Sequence, residues 1–346
     1  MQQLFCTGLR TLEWRETADP LLQSDDDAIV RPIAVARCEI DLPLLLGVFG
    51  LDRPFAIGHE AIGEIVALGD AVRGLEIGDR VAIAFQVSCG DCGPCGRGRS
   101  ALCASYPTLS DYGMAPLSGH EYGGMLADLA YVPHAEAMLT RIPPGATPAA
   151  LASLPDNVLD GYRTVRDGLA TNPGGDVLVV EHGSPAIALY AVQSAFALGA
   201  ERVVFAGRDE AALALAAKLG AERVAWSPGE RIGRFATISD CGSTAEGFAF
   251  AVDAAAAGAC LHSASYVLGE AKALPLGKLY TLGLRLDLGR ADSAALLPEV
   301  MRLVADGTLS PGEITSAEVP WEDAARAWLE PGRKLVVTRE EGRHAA

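Results

Sequence analysis

Four of the chain's eight cysteines fall in one window, SCGDCGPCGRGRSALC, as Cys89, Cys92, Cys95 and Cys103. The spacing C-x2-C-x2-C-x7-C lets thiolates on a tight turn converge on one tetrahedral ion, with glycine and proline supplying the turn. A disulfide cluster and an iron–sulfur centre are the alternatives. The amino terminus, MQQLFCTGLRTLEWRE, has no basic stretch followed by an apolar one. No secretion signal is read there, so the thiols are expected in the reducing cytoplasm, where they bind metal. Four thiolates with no open position make a closed, structural zinc site.

A second set of metal-capable side chains is spread over the first 160 residues: Cys38 in ARCEIDL, His59 and Glu60 in FAIGHEAIGEI, and Asp156 in LPDNVLDGY. Taken singly, each has a plain role as a core cysteine, a turn histidine or a helix N-cap. A third stretch, VLVVEHGSPAIALYAVQSAFALGA at 177–200, runs from apolar strand through tight turn to long apolar helix. That is the outline of a dinucleotide-binding unit, in which a helix N-terminus receives a pyrophosphate. Its turn, however, carries Glu181, His182, Gly183, Ser184 and Pro185 where bare glycine backbone is wanted.

The elements that must position these groups change character near residue 156. Up to about 155 the chain shows short β-like runs separated by Gly and Pro, such as IGEIVALG and DRVAIAF. Beyond it, apolar strands alternate with amphipathic helices through VLDGYRTVRDGLA, DVLVV, IALYAVQSAFALGA, RVVFAG, EAALALAAKLGA, RVAW, ATISDCG, EGFAFAVDAAAAG, ACLHSASY and LYTLGLRLDLG. This alternation predicts a doubly wound parallel sheet. SAALLPEVMRLVADGTL and KLVVTRE return to the first domain. With 346 residues, two domains are expected. Half the residues are hydrophobic, and no uninterrupted apolar stretch is long enough for a membrane span. A formal net charge of −16 argues against nucleic acid or an anionic membrane as partner.

Together these segments carry a resemblance. GHEAIGEIVALGDAVRGLEIGDRVAI, the four-cysteine lobe that follows it and YGGMLADLAYVP resemble the zinc-dependent medium-chain dehydrogenase/reductase superfamily, that of the alcohol dehydrogenases. The wording is closest to its formaldehyde-dehydrogenase-like and threonine-dehydrogenase-like members. The resemblance runs over nearly the whole chain.

It implies an α/β chain with a GroES-like β-barrel catalytic domain at 1–155 and 291–346, a structural-zinc lobe at 88–104, and a Rossmann domain at 156–290. It implies two zinc ions per chain, the second a catalytic zinc held by Cys38, His59 and Asp156. Glu60 stands beside them as an exchangeable ligand or outer carboxylate, and Asp41 hydrogen-bonds the histidine, fixing its tautomer. The expected reaction interconverts an alcohol and a carbonyl with NAD(P)(H), zinc acting as a Lewis acid on a small-molecule substrate. A non-redox zinc enzyme on the same fold, a lyase, hydratase or isomerase without the dinucleotide, is the alternative.

Against the family's turn, Gly-x-Gly-x-x-Gly, Glu181 takes the first glycine position, Gly183 the second and Ala188 the last, with Ser184 and Pro185 lengthening the turn. Glu181 is expected to repel a pyrophosphate, and removing it to tighten NADPH binding. His182, Gly183, Ser184 and Ile187 are the expected cofactor contacts, with Lys334 as a phosphate partner. At the end of the next strand Gly207 and Arg208 replace the acidic residue that binds a 2′-hydroxyl, which favours NADP over NAD. Ile40 and Pro43 remove the family's hydroxyl–histidine proton relay. Glu39 and Asp160 replace neutral or basic residues near the cofactor and, with His120 and Glu121, suggest a polar or cationic substrate. Residues 279–289 resemble the outer strand that pairs across a two-fold axis, so a homodimer or homotetramer is expected.

Overall fold

The computed structural model describes residues 1–114, 117–264, 274–332 and 334–339. The chain divides into two compact units, Met1–Leu159 with Asp292–Ala346, and Asp160–Ala291.

The first unit is the GroES-like domain, and its centre is the strand Ala28–Ala36, AIVRPIAVA. Its β-branched residues alternate with small ones and are buried almost throughout. It pairs antiparallel with Glu60–Leu68 on one side and Leu335–Thr338 on the other. Ala36 stands opposite Glu60 in the first pairing and opposite Val336 in the second. Because antiparallel partners run in opposite directions, Cys38, two residues past Ala36, comes to the same end as His59–Glu60 and Lys334. Three distant segments are thus brought to one place by register. The strand Arg80–Ile83 and the short strands Ala130–Val132, Leu139–Arg141 and Ala317–Pro320 complete the seven-stranded sheet.

The second unit is a six-stranded, wholly parallel sheet. Numbered along the chain from Val177–His182, its order is 3-2-1-4-5-6. The first strand, VLVVEH, is buried along its whole length, as a central parallel strand covered on both faces must be. Leu178, Val180, Val204, Ala206, Ile238 and Leu261 belong to the core on one face of that sheet. The chain reverses direction of strand addition between Val177–His182 and Phe235–Gly242, the switch point at which such sheets bind ligands.

Three expectations need correction. The turn after Val177–His182 is not lengthened: the helix Pro185–Ala197 starts two residues beyond it, with Ser184 as N-cap. Proline at the first helical position has its φ preset and no N–H to lose. The last position of the Gly-x-Gly-x-x-Gly pattern therefore falls on Ala186, at the helix start, and Ala188 lies a half-turn further in. Second, residues 279–289 are not one strand. They comprise the end of the helix Leu276–Leu282, a left-handed Gly283 that stops it, and the strand Arg285–Leu288. Third, the alanine run after EGFAFAVD leaves the helix at Asp253, and Ala255 already opens the strand Ala255–Ser263. Residues 265 and 266, which end ACLHSASY, lie outside the described residues.

Candidate active site and metal centres

At the convergent end of the barrel strands, Cys38, His59, Glu60 and Asp156 each offer a ligand atom, all within 4.8 Å of one another and all buried. Asp156 arrives on a π-helical turn, Leu154–Val158, which leads into the helix Leu159–Thr171. That turn also presents Asn157 to the site, so that consecutive residues serve it. His59 Nε2 lies 3.3 Å from Asp156 Oδ2. Behind it, Nδ1 faces Asp41 Oδ1 at 3.6 Å, while Asp41 Oδ2 accepts the backbone N–H of Cys38 at 2.8 Å. One carboxylate therefore steadies both Cys38 and His59. Asn157 donates from Nδ2 to Cys38 Sγ at 3.1 Å.

The fit of this set to zinc is tested by its charge and its unpaired atoms. Burial and the neighbouring carboxylates push the Cys38 thiol well up, and burial raises Glu60 to about 8 against the pull of Lys334. His59 is raised to about 9, because Asp41 and Asp156 outweigh its burial. Asp156 is held low by the hydrogen bond from His59 despite its burial. Glu60 Oε1 is buried without a hydrogen-bond partner among the described residues, and His59 Nδ1 has the Asp41 carboxylate at 3.6 Å. A buried thiol, imidazole and carboxylates of this kind suit a divalent cation.

Lys334, expected as a phosphate partner, is engaged at the metal-capable cluster. It is fully buried, and its Nζ donates at 2.6 Å to Glu60 Oε2 and at 2.6 Å to Asn157 Oδ1. Its strand, with Val336 opposite Ala36, delivers it opposite Cys38. Sequence reasoning missed Asn157 altogether, although a polar residue beside Asp156 in the otherwise apolar stretch leading into the helix was the available signal.

In the four-cysteine lobe the thiols lie within 4.8 Å of one another and none is in a disulfide. Cys92 Sγ is 3.8 Å from Cys103 Sγ, which is 3.6 Å from Cys89 Sγ. Four sulfurs each about 2.3 Å from one ion stand about 3.8 Å apart. That spacing suits a single ion and is too tight for several irons with bridging sulfides. Backbone N–H groups of Cys92 and Ala104 point at Cys89 Sγ and Cys92 Sγ, and these bonds favour thiolate; that from Ala104 leads the causes that lower Cys92 to about 6. Gly90 and Gly98, at φ +81° and +73°, supply the turns.

In the second unit, Gly183 has φ +131° and lies at the mouth of the helix Pro185–Ala197. Ser184 is fully buried, and its Oγ has no hydrogen-bond partner among the described residues. A helix N-terminus with an unpaired hydroxyl suits a pyrophosphate. Ile187 is buried within the same helix. The His182 ring is also engaged: Nε2 lies 2.6 Å from Asp240 Oδ1, and Nδ1 accepts the Thr244 N–H at 3.0 Å. Its backbone, not its ring, is what the turn can offer. Asp160 is paired with Arg163 at 2.6 Å, and Glu121 accepts the Ala56 N–H at 3.3 Å, so both carry structural loads. Ile40 is the N-cap of the short helix Asp41–Leu45, which contains Pro43, and neither can pass a proton. Glu39 is half-buried beside Cys38, its Oε2 4.0 Å from Sγ. Gly207 ends its strand, and the Arg208 guanidinium lies 3.9 Å from the Trp226 ring centroid.

Comparison with known proteins agrees with this fold. Residues 24–144 match the alcohol dehydrogenase GroES-like domain. The chain is 28% identical over 338 residues to a probable zinc-binding alcohol dehydrogenase of Mycobacterium tuberculosis, covering 95% of this chain and 84% of that protein. It is 34% identical over 207 residues to a medium chain reductase/dehydrogenase of Acremonium sp, covering 58% and 68%. The solved alcohol dehydrogenase TADH from Thermus sp. ATN1 superposes with a TM-score of 0.84 at 25% identity, covering 98% of this chain and all of that one. The chain belongs to the zinc-dependent medium-chain dehydrogenase/reductase family. It is an oxidoreductase that interconverts an alcohol and a carbonyl by hydride transfer with a nicotinamide dinucleotide.

Proposed function

We propose that Cys38, His59 and Asp156 hold the catalytic zinc, with Glu60 at its side, and that Cys89, Cys92, Cys95 and Cys103 hold the structural one. The single observation that carries this is the convergence of the first set on the buried end of three strands, with Glu60 Oε1 left without a hydrogen-bond partner among the described residues. When bound, the catalytic zinc polarises the substrate oxygen as a Lewis acid and the dinucleotide carries the hydride.

The chain's own residues do the rest. Asp41 orients His59 and Cys38. Asn157 hydrogen-bonds the Cys38 sulfur and, through Lys334, shares in holding Glu60. Glu60 Oε1 is the atom this reading assigns to take the alcohol proton, since Ile40 and Pro43 offer no relay. Residues 160–291 receive the dinucleotide, with the helix N-terminus at Ser184 taking the pyrophosphate. Two copies assemble along the edge strand Arg285–Leu288, which is paired on one side only among the described residues.

The test is elemental analysis with a turnover assay. About two zinc ions per chain are expected, falling to about one in Cys38→Ser, with loss of alcohol-dependent NAD(P)H formation. One metal per chain in the wild type, or an active Cys38→Ser, would overturn the assignment.

A further inference from the structure

Glu181 stands where a glycine opens the dinucleotide turn, and it is buried, with 5% of its surface exposed. Its Oε1 accepts the Gly183 N–H at 2.8 Å and its Oε2 the Arg208 N–H at 3.3 Å. The carboxylate thus bridges its own turn and the end of the neighbouring strand. Val180 is in register with Ala206, so Glu181 and Gly207 lie side by side. A Cβ on Gly207 would stand 3.2 Å from Glu181 Oε2 and 3.4 Å from Glu181 Cβ.

In sheets of this topology an acidic side chain near the end of the second strand hydrogen-bonds the adenosine 2′-hydroxyl. Gly207 has no side chain to do so. The space such a side chain would fill is occupied by the Glu181 carboxylate, reaching over from the first strand. The cation next to it is engaged elsewhere: the Arg208 guanidinium sits over the Trp226 ring and is 3.5 Å from Glu246 Oε2. Trp226 is itself fixed, stacked on Phe250 at 4.7 Å and donating from Nε1 to the Glu181 carbonyl at 3.2 Å.

We propose that Glu181 is the acid that receives the adenosine ribose, and that it makes the enzyme select NAD(H) over NADP(H). The proposal rests on the dehydrogenase reading above. A carboxylate here accepts a hydrogen bond from a 2′-hydroxyl and repels a 2′-phosphate, so the residue that looks hostile to a dinucleotide discriminates between two of them. The Arg208 that follows Gly207 does not reverse this, because its guanidinium is held on the indole.

The experiment is titration of the full-length, zinc-loaded protein with NADH, NADPH and 2′-deoxy-NADH, followed by calorimetry. In the wild type, NADH should bind roughly tenfold or more tightly than either of the others, the scale of one charge-assisted hydrogen bond. Glu181→Gln should bring NADH and NADPH to within roughly threefold of each other, and Arg208→Ala should leave the wild-type ratio unchanged. Because Glu181 also accepts two backbone N–H groups, the ratio of the two cofactors is read rather than either affinity alone. The wild-type comparison with the 2′-deoxy analogue needs no variant to fold. Equal or tighter binding of NADPH, indifference to the 2′-hydroxyl, or an unchanged ratio in Glu181→Gln would overturn the Glu181 assignment while leaving the dehydrogenase reading standing. If neither cofactor binds to saturation, both fall.

Discussion

Lys334 shows how far a single residue's role can lie from what its type suggests. As a lysine near the carboxyl terminus it reads as a phosphate partner or a solvated charge; in the fold it is wholly buried between Glu60 and Asn157. Removing one member of a buried ion pair strands the other, which costs about 3–5 kcal/mol. Lys334→Met should therefore lose stability on that scale in urea unfolding, and adding Glu60→Gln should recover much of the loss. A Lys334→Met protein as stable as wild type would show that Glu60 is relieved some other way. The metal-capable residues were legible because Cys, His and acidic side chains in the right company are rare. Asn157 was not, because an amide announces no chemistry until burial shows what it must bond to.

At the scale of elements, the two metal centres should fail differently. The four-cysteine lobe is a run of turns and two single-turn 3-10 helices, Cys95–Arg97 and Ser100–Leu102, with little core of its own. Its order depends on what its thiolates bind. Cys95→Ser should lower the melting temperature by several degrees or more, whereas Cys38→Ser, on a scaffold of long strands, should leave it within a few degrees while abolishing turnover. Calorimetry alongside an activity assay separates the two, and the reverse pattern would exchange the roles of the sites. Strand and helix alternation was readable beyond residue 156 since buried parallel strands are nearly continuous apolar runs. LYTLGLRLDLG was misread for a related reason: its apolar residues fit a strand and a helix equally, and Gly283 divides it. The length of the turn after His182 was missed because proline was counted as insertion, when it is the helix's first residue.

For the molecule as a whole, the net charge of −16 keeps copies apart except where an apolar edge overcomes it. Such an edge is offered by the strand Arg285–Leu288 and the helix before it, where Leu276, Tyr280 and Leu288 are 67%, 90% and 55% exposed. Light scattering at micromolar concentration should give a dimer or tetramer, and Leu288→Lys, charging the exposed edge, should shift it toward monomer. A monomeric wild type would refute assembly through this edge. The two-unit plan was visible as a change of periodicity in the sequence. The way Cys38, Glu60 and Lys334 meet was not, for it depends on strand register, which no local pattern specifies.

The closeness of Glu181 to Gly207 also constrains how this protein can be altered by single substitutions. Moving the acid from the first strand to the second requires two changes, and neither is neutral alone. Gly207→Asp in the present background would set two carboxylates side by side and press its Cβ to 2.7 Å from the Phe205 ring. Glu181→Gly by itself would leave the ribose with no acid at all. Each change is harmful without the other and acceptable with it, a reciprocal epistasis that separates two equivalent solutions by a valley. A mutational library screened one position at a time would never find the crossing.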